Sequence, residues 1–182
     1  MNGPGAGGGG PAGRETYEGG MQSDEAAADF VSKALANLGI VGQTPSGKKM
    51  LEDIEATGKK ITIKQTYADN GYARRASEVG SETPGVGTNT TIGWNPSFGD
   101  GPTGMPERDL AKMPSRVMFH EFGHGRHNAL GQNQQDTPMG GGWDTVEEYN
   151  TIYGNSPSEA DYMKDLGIPW RRDDHDGTWV PQ

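Results

Sequence analysis

The stretch MPSRVMFHEFGHGRHNALGQ, Met113 to Gln132, narrows the fold more than any other part of the 182-residue chain. Pro114 suits the first turn of a helix and Gly131 suits its C-terminal cap, so the spacing predicts a helix of roughly four to five turns. On a helical wheel Met118, Phe122 and Ala129 share one side. His120, His124 and His127 lie opposite, with Glu121 on the flank. A helix with one apolar face and one histidine face is a core element that carries a polar site.

Within that helix, HEFGH sets two histidines one turn apart, about 6 Å along the axis. Imidazoles at that spacing both reach one tetrahedral Zn²⁺ at about 2.0–2.1 Å. Glu121 is rotated just off their line, where it meets the attacking water rather than the ion, as a general base must. The chain's own residue frequencies generate H-E-x-x-H by chance roughly 0.6% of the time. The motif is therefore read as one zinc per chain on His120 and His124, with Glu121 catalytic. His127 cannot complete the set, because seven residues from His120 is roughly 10 Å along one axis. It is read as a rim or surface histidine.

The third ligand must come from elsewhere. WDTVEEYNTIYG supplies Glu147 and Glu148, with Val146, Tyr149, Ile152 and Tyr153 on an apolar side. If Thr145 caps this helix, Glu148 takes the capping-box position and Glu147 is left for metal. If Asp144 caps, the assignments swap. Wheel position favours Glu148, because Glu147 faces away from the apolar side. Glu159 falls in SPSEADYMKDLG, where Ser156 as cap and Pro157 as first residue would make it the capping-box glutamate. DDHDG, Asp173 to Gly177, has no downstream glutamate to close a calcium loop and reads as a solvated tail.

Around these segments the chain divides simply. Residues 1–20 are Gly-rich and read as a disordered linker, leaving 21–182 as a single domain. Phe30, Val31, Ala34, Leu35 and Leu38 mark a helix closed by Gly39, and TPSGKKMLEDIEATG marks a second, stopped by Gly58. KKITIKQT and Thr88–Trp94 read as strands, with Tyr67–Gly87 and Ser97–Pro106 as loops. The second strand is the candidate edge for an extended substrate. Sixteen basic against 25 acidic residues give a net charge of −9, which disfavours nucleic acid and anionic bilayers as partners. The absence of cysteine removes disulfides, thiolate metal sites and a cysteine nucleophile. No run is long enough to span a membrane, and the start lacks the order of a classical signal peptide.

The segments TPSGKKMLEDIEATGKKITI, TTIGWNP, GDGP, HEFGH, EEYNTIYG and SPSEADYMKDLGIPWR, in that order, resemble the NleD-like bacterial effector metallopeptidases. The resemblance implies an α+β zincin-like domain, a small sheet packed on helices that include the HExxH helix. It implies a zinc endopeptidase delivered by a dedicated secretion system, acting on a protein in a target cell, with an immunity or inhibitor protein as a further partner. It also places the third ligand on Glu147 and a ligand-supporting role on Thr151, although Val146 stands where members commonly carry asparagine. Tyr149, Tyr153 and His127 are the candidates for steadying the oxyanion, with core packing the competing role for the tyrosines. Two other readings compete: a catalytically inactive zinc-binding interaction domain, and a self-processing module of a longer polypeptide. Glu121 argues against the first, since a structural site needs no general base.

Overall fold

The computed structural model describes residues 24–174 and 177–182; the expected linker at 1–20 lies outside them. The domain is α+β, with two small sheets among seven α-helices in the described residues.

Helix α1, Asp24–Gln43, runs four residues past its expected stop at Gly39, because fully buried Val41 anchors its last turn. Thr44 then caps α2, Pro45–Ala56, accepting from Gly47 N at 3.0 Å with proline in the first turn. Gly58, at φ 67°, turns the chain into strand β1, Ile61–Gln65. The region expected as loop holds two elements: strand β2, Tyr72–Arg75, and helix α3, Glu78–Glu82, capped by Ser77. YARR carries no apolar alternation of its own, so its strand conformation is set by pairing with β3, Thr90–Trp94.

The sheet order is β1-β3-β2, with β1 parallel and β2 antiparallel to β3. This corrects the expectation that Thr88–Trp94 forms an edge. β3 is hydrogen-bonded on both sides, and β2 is the edge. Ala76 N donates to Asn89 O at 2.9 Å, which fixes the register of the ladder. Alternation then turns the peptide groups of Ala73 and Arg75 to the open side.

The short helix α4, Glu107–Leu110, leads into α5, Met113–Leu130, which Gly131 ends in the left-handed conformation at φ 72°. α5 is not two-faced as expected. It is buried on nearly every side, because α1, α2, α7 and the sheet all pack on it. Val117, Met118, Phe119 and Phe122 join Met50, Ile54, Ile92 and Trp94 in the main core. Trp94 Nε1 donates to Pro114 O at 3.0 Å, and Tyr162 stacks on Phe119 with ring centroids 4.3 Å apart.

Beyond α5, Thr145 caps α6, Val146–Tyr149, which continues as a π-helical turn, Asn150–Gly154. Helix α7, Glu159–Asp165, is capped by Ser158 with Asp161 completing the capping box. The cap is therefore two residues later than the sequence suggested, and Glu159 is released from that duty. Strands β4, Trp170–Arg172, and β5, Trp179–Pro181, close the chain as an antiparallel pair. The expected tail at Asp173–Gly177 connects them, with Asp173 N on Thr178 O and Thr178 N on Asp174 Oδ1; residues 175 and 176 lie outside the described part. Among the described residues no helix is long and apolar enough to cross a membrane.

Candidate metal centre

The α5 turn from His120 to His124 brings their Nε2 atoms to 3.1 Å of each other. Glu148 Oε1 lies 3.3 Å from His124 Nε2, and Glu148 Oε2 lies 3.4 Å from His120 Nε2. Ligand atoms about 2.0–2.1 Å from a tetrahedral centre sit about 3.3–3.4 Å from one another, so these separations fit a tetrahedral ion. Two imidazole nitrogens and a carboxylate converging on one point are a donor set that suits a cation. Among the described residues, His120, His124 and Glu148 form one buried or half-buried group able to hold a metal.

Glu147 occupies a different place from the one expected. Its side chain is turned behind His124, where Oε1 accepts from His124 Nδ1 at 2.9 Å and from His127 Nδ1 at 2.8 Å. Oε2 accepts from Gln134 N at 3.0 Å. The cause is local: Thr145 Oγ1 accepts from Glu148 N, so α6 begins at Val146 and adjacent residues project about 100° apart. Glu148 is aimed at the Nε2 atoms and Glu147 at the Nδ1 atom. Thr151 Oγ1 joins Glu147 at His124 Nδ1, 3.2 Å away.

His120 is supported from another quarter. Its Nδ1 lies 3.1 Å from Glu159 Oε2, and Arg172 grips the same carboxylate in a fork, Nε on Oε1 at 2.9 Å and Nη2 on Oε2 at 2.7 Å. His124 thus has a carboxylate on Nδ1, the arrangement that fixes a ligating imidazole with Nε2 free for metal, while His120 Nδ1 faces both Glu159 and Arg172 Nη2, the latter at 3.0 Å. Arg116 also reaches Glu159, at 3.5 Å, and pairs with Asp100. His127, expected at the rim or surface, is 2% exposed, and its ring bonds to Glu147.

The charges follow from this packing. Burial opposes ionisation of Glu147, yet hydrogen bonds from His124 and His127 bring its carboxyl down to about 2. Glu148 and Glu159 are held well below the carboxylate range against burial, by the histidines in one case and Arg172 and Arg116 in the other. Burial resists protonation of His124, but Glu148 and Glu147 raise its pKa well above the usual value. Glu121 goes the other way: burial pushes its carboxyl up. Its Oε2 is buried without a hydrogen-bond partner among the described residues. A Cβ on Gly71 would lie 2.7 Å from Glu121 Cγ and closer still to Oε1, so the glycine backbone roofs the carboxylate.

His120, Glu121, His124 and Glu148 line one cavity of about 450 Å³. Its walls include Gly71 and Ala73 along β2, Phe98 and Val117 on an apolar side, and Asp100, Arg116 and Arg172 on a charged one. Tyr149 and Tyr153 are not part of it. Tyr149 packs edge-on against Trp143, and Tyr153 lies under the Arg171 guanidinium at 4.6 Å. Sequence reasoning assigned Glu159 to a helix cap and missed Arg172 and Gly71. Arg172 closes the first strand of the terminal β4–β5 pair, a position that carries no motif of its own.

The family model described as Effector protein, Peptidase M91, matches residues 18–150. The chain belongs to this peptidase family of effector proteins. The family bears out the NleD-like resemblance and matches a stretch containing HEFGH and both glutamates. Thr151, Glu159 and Arg172 lie beyond the matched residues. No curated protein matches the chain.

Proposed function

We propose that residues 21–182 act as one zincin-like catalytic domain, a zinc-dependent endopeptidase delivered by a bacterium to hydrolyse a protein in a target cell. One observation carries the reading: the buried, unsatisfied Glu121 Oε2 beside a tetrahedral His120–His124–Glu148 group. A structural metal site needs no such oxygen, whereas hydrolysis needs a base that is dry and poised to take a proton.

His120, His124 and Glu148 would hold the zinc, which would supply Lewis-acid chemistry toward water and the scissile carbonyl. Glu147 holds His124 in the tautomer with Nε2 turned to the group, and Glu159 with Arg172 packs the Nδ1 side of His120 so that its Nε2 faces the same point. Glu121, its carboxyl raised by burial, takes a proton from the attacking water and delivers it to the leaving amine. Gly71 keeps that carboxylate in place by leaving it no room to swing toward β2. The outward peptide groups of Ala73 and Arg75 offer an extended substrate an edge beside the cavity.

The test is metal content together with cleavage of a random fluorescence-quenched peptide library, for wild type and Glu121→Gln. The expected outcome is one zinc per chain in both proteins and turnover lowered roughly 10²- to 10⁴-fold in the variant. Wild type without zinc after metal is supplied, or a variant as active as wild type, would refute the reading.

A further inference from the structure

We propose that Arg172 is a catalytic residue: Glu159 fixes two edges of its guanidinium, and the remaining amino group, Nη1, donates to the scissile carbonyl oxygen. This deepens the peptidase reading above and rests on it.

Arg172 is 9% exposed and lines the cavity with His120, Glu121 and Glu148. Nε and Nη2 are committed to Glu159 in a two-point fork, which fixes the plane of the head group. Nη1 donates to no acceptor among the described residues. Arg172 is also one of the residues that wall the cavity, so its uncommitted amino group belongs to the cation nearest the candidate metal group. A half-spent, immobilised cation is a preorganised donor, costing no reorientation when charge develops in front of it.

The alternatives around the cavity are weaker. Arg116 is the other cation on its wall, and both its amino groups are taken, by Asp100 and Glu159. Tyr149, Tyr153 and His127 lie elsewhere.

In the step itself the water oxygen bonds to the carbonyl carbon and the C=O π pair moves onto the carbonyl oxygen. The water proton passes to Glu121 and then to the amine nitrogen as the C–N bond breaks. Arg172 gives up no proton; its Nη1 hydrogen bond shortens as the oxygen becomes anionic. Net, one water adds across one amide.

Arg172→Ala leaves Glu159 with Arg116 as its one arginine beside His120, so a double variant, Arg172→Ala with Glu159→Gln, guards against simple unfolding by removing the buried charge as well. Both are compared with wild type and Glu159→Gln. Zinc affinity is measured by chelator competition, and turnover at saturating zinc uses a quenched peptide that wild type cleaves. Losing the support of His120 should weaken zinc roughly 10- to 100-fold in all three variants. At saturating zinc, both Arg172→Ala proteins should lose roughly 10²- to 10³-fold in kcat with little change in KM. Low concentrations of guanidinium should restore part of that loss, which a packing defect would not allow. Glu159→Gln, which keeps Nη1, should retain more turnover than either. If folded, zinc-saturated Arg172→Ala or the double variant turns over like wild type, the inference is overturned while the peptidase reading stands. A zinc-loaded wild type that cleaves no peptide sinks the peptidase reading and this inference with it.

Discussion

Substituting the two adjacent glutamates of α6 one at a time should separate two properties that a single metal-binding measurement would confuse. Glu147 is 1% exposed and accepts from His124 Nδ1, His127 Nδ1 and Gln134 N, and at 3.5 Å from Thr151 Oγ1. Glu147→Ala strips the three nitrogen donors of their acceptor. Each buried donor left alone costs about 1–3 kcal/mol. Thr151 Oγ1, 3.2 Å from His124 Nδ1, offsets one of them. A net loss of about 3 kcal/mol follows, and for a domain of this size that lowers Tm by about 10 °C. Zinc should still bind, roughly 10- to 100-fold more weakly, because the Nε2 atoms and Glu148 remain. Glu148→Ala removes one of the three converging ligands instead. It should abolish stoichiometric zinc while lowering the Tm of the metal-free protein less than Glu147→Ala does. The assay is elemental zinc per chain alongside thermal unfolding in chelator. Glu147→Ala without zinc beside a zinc-replete Glu148→Ala would refute the assignment and restore the expectation drawn from sequence.

Gly71→Ala should keep its zinc and its Tm within a few degrees yet lose at least roughly 10²-fold in kcat, since the new methyl must displace the Glu121 carboxylate; full activity would show that the glycine roof is dispensable. Gly123→Ala should instead destabilise, because its Cβ would come 2.7 Å from Thr151 Cγ2 and force the π-helical turn away from α5, by about 1–3 kcal/mol in denaturant titration. Burial raises the fully buried Tyr162 to about 12 against the hydrogen bond to Ser115 that favours ionisation. Below pH 10 both folded and unfolded chains keep this phenol neutral; above it only the unfolded chain ionises. About 2–3 kcal/mol should therefore be lost between pH 10 and 12. Tyr162→Phe should be free of that part of the alkaline decline.

The sequence makes α5 legible because its signals agree: proline at the start, glycine at the end, and ligands one turn apart. Burial on nearly every side was not legible, since the histidines of α5 meet neighbours from α6 to β4 while Gly123 and Gly125 pack on Thr151, Met50, Ile61 and Ile92 from both earlier and later parts of the chain. The choice between Glu147 and Glu148 turns on about 100° of rotation. Thr145 was recognised as a possible cap, and it is the cap. The structure nevertheless turns Glu148 rather than Glu147 to the Nε2 atoms, because an N3 glutamate need not reach back to the N-cap peptide when two imidazoles lie in front of it. The wheel argument, set aside in favour of the family pattern, was the better physical guide. Glu159 failed in the mirror-image way: a capping box at Ser156 explained it, while the real box two residues later leaves it free for His120. In both cases a local rule competed with a buried charge, and the buried charge won. A capping hydrogen bond is typically worth ~1 kcal/mol, whereas an uncompensated buried ion costs several. Around a buried metal-binding motif, carboxylates should accordingly be assigned first to the cations they can reach and only then to helix caps. By that order Glu159, outside the matched family region, goes to Arg172 and His120 before it goes to a helix cap.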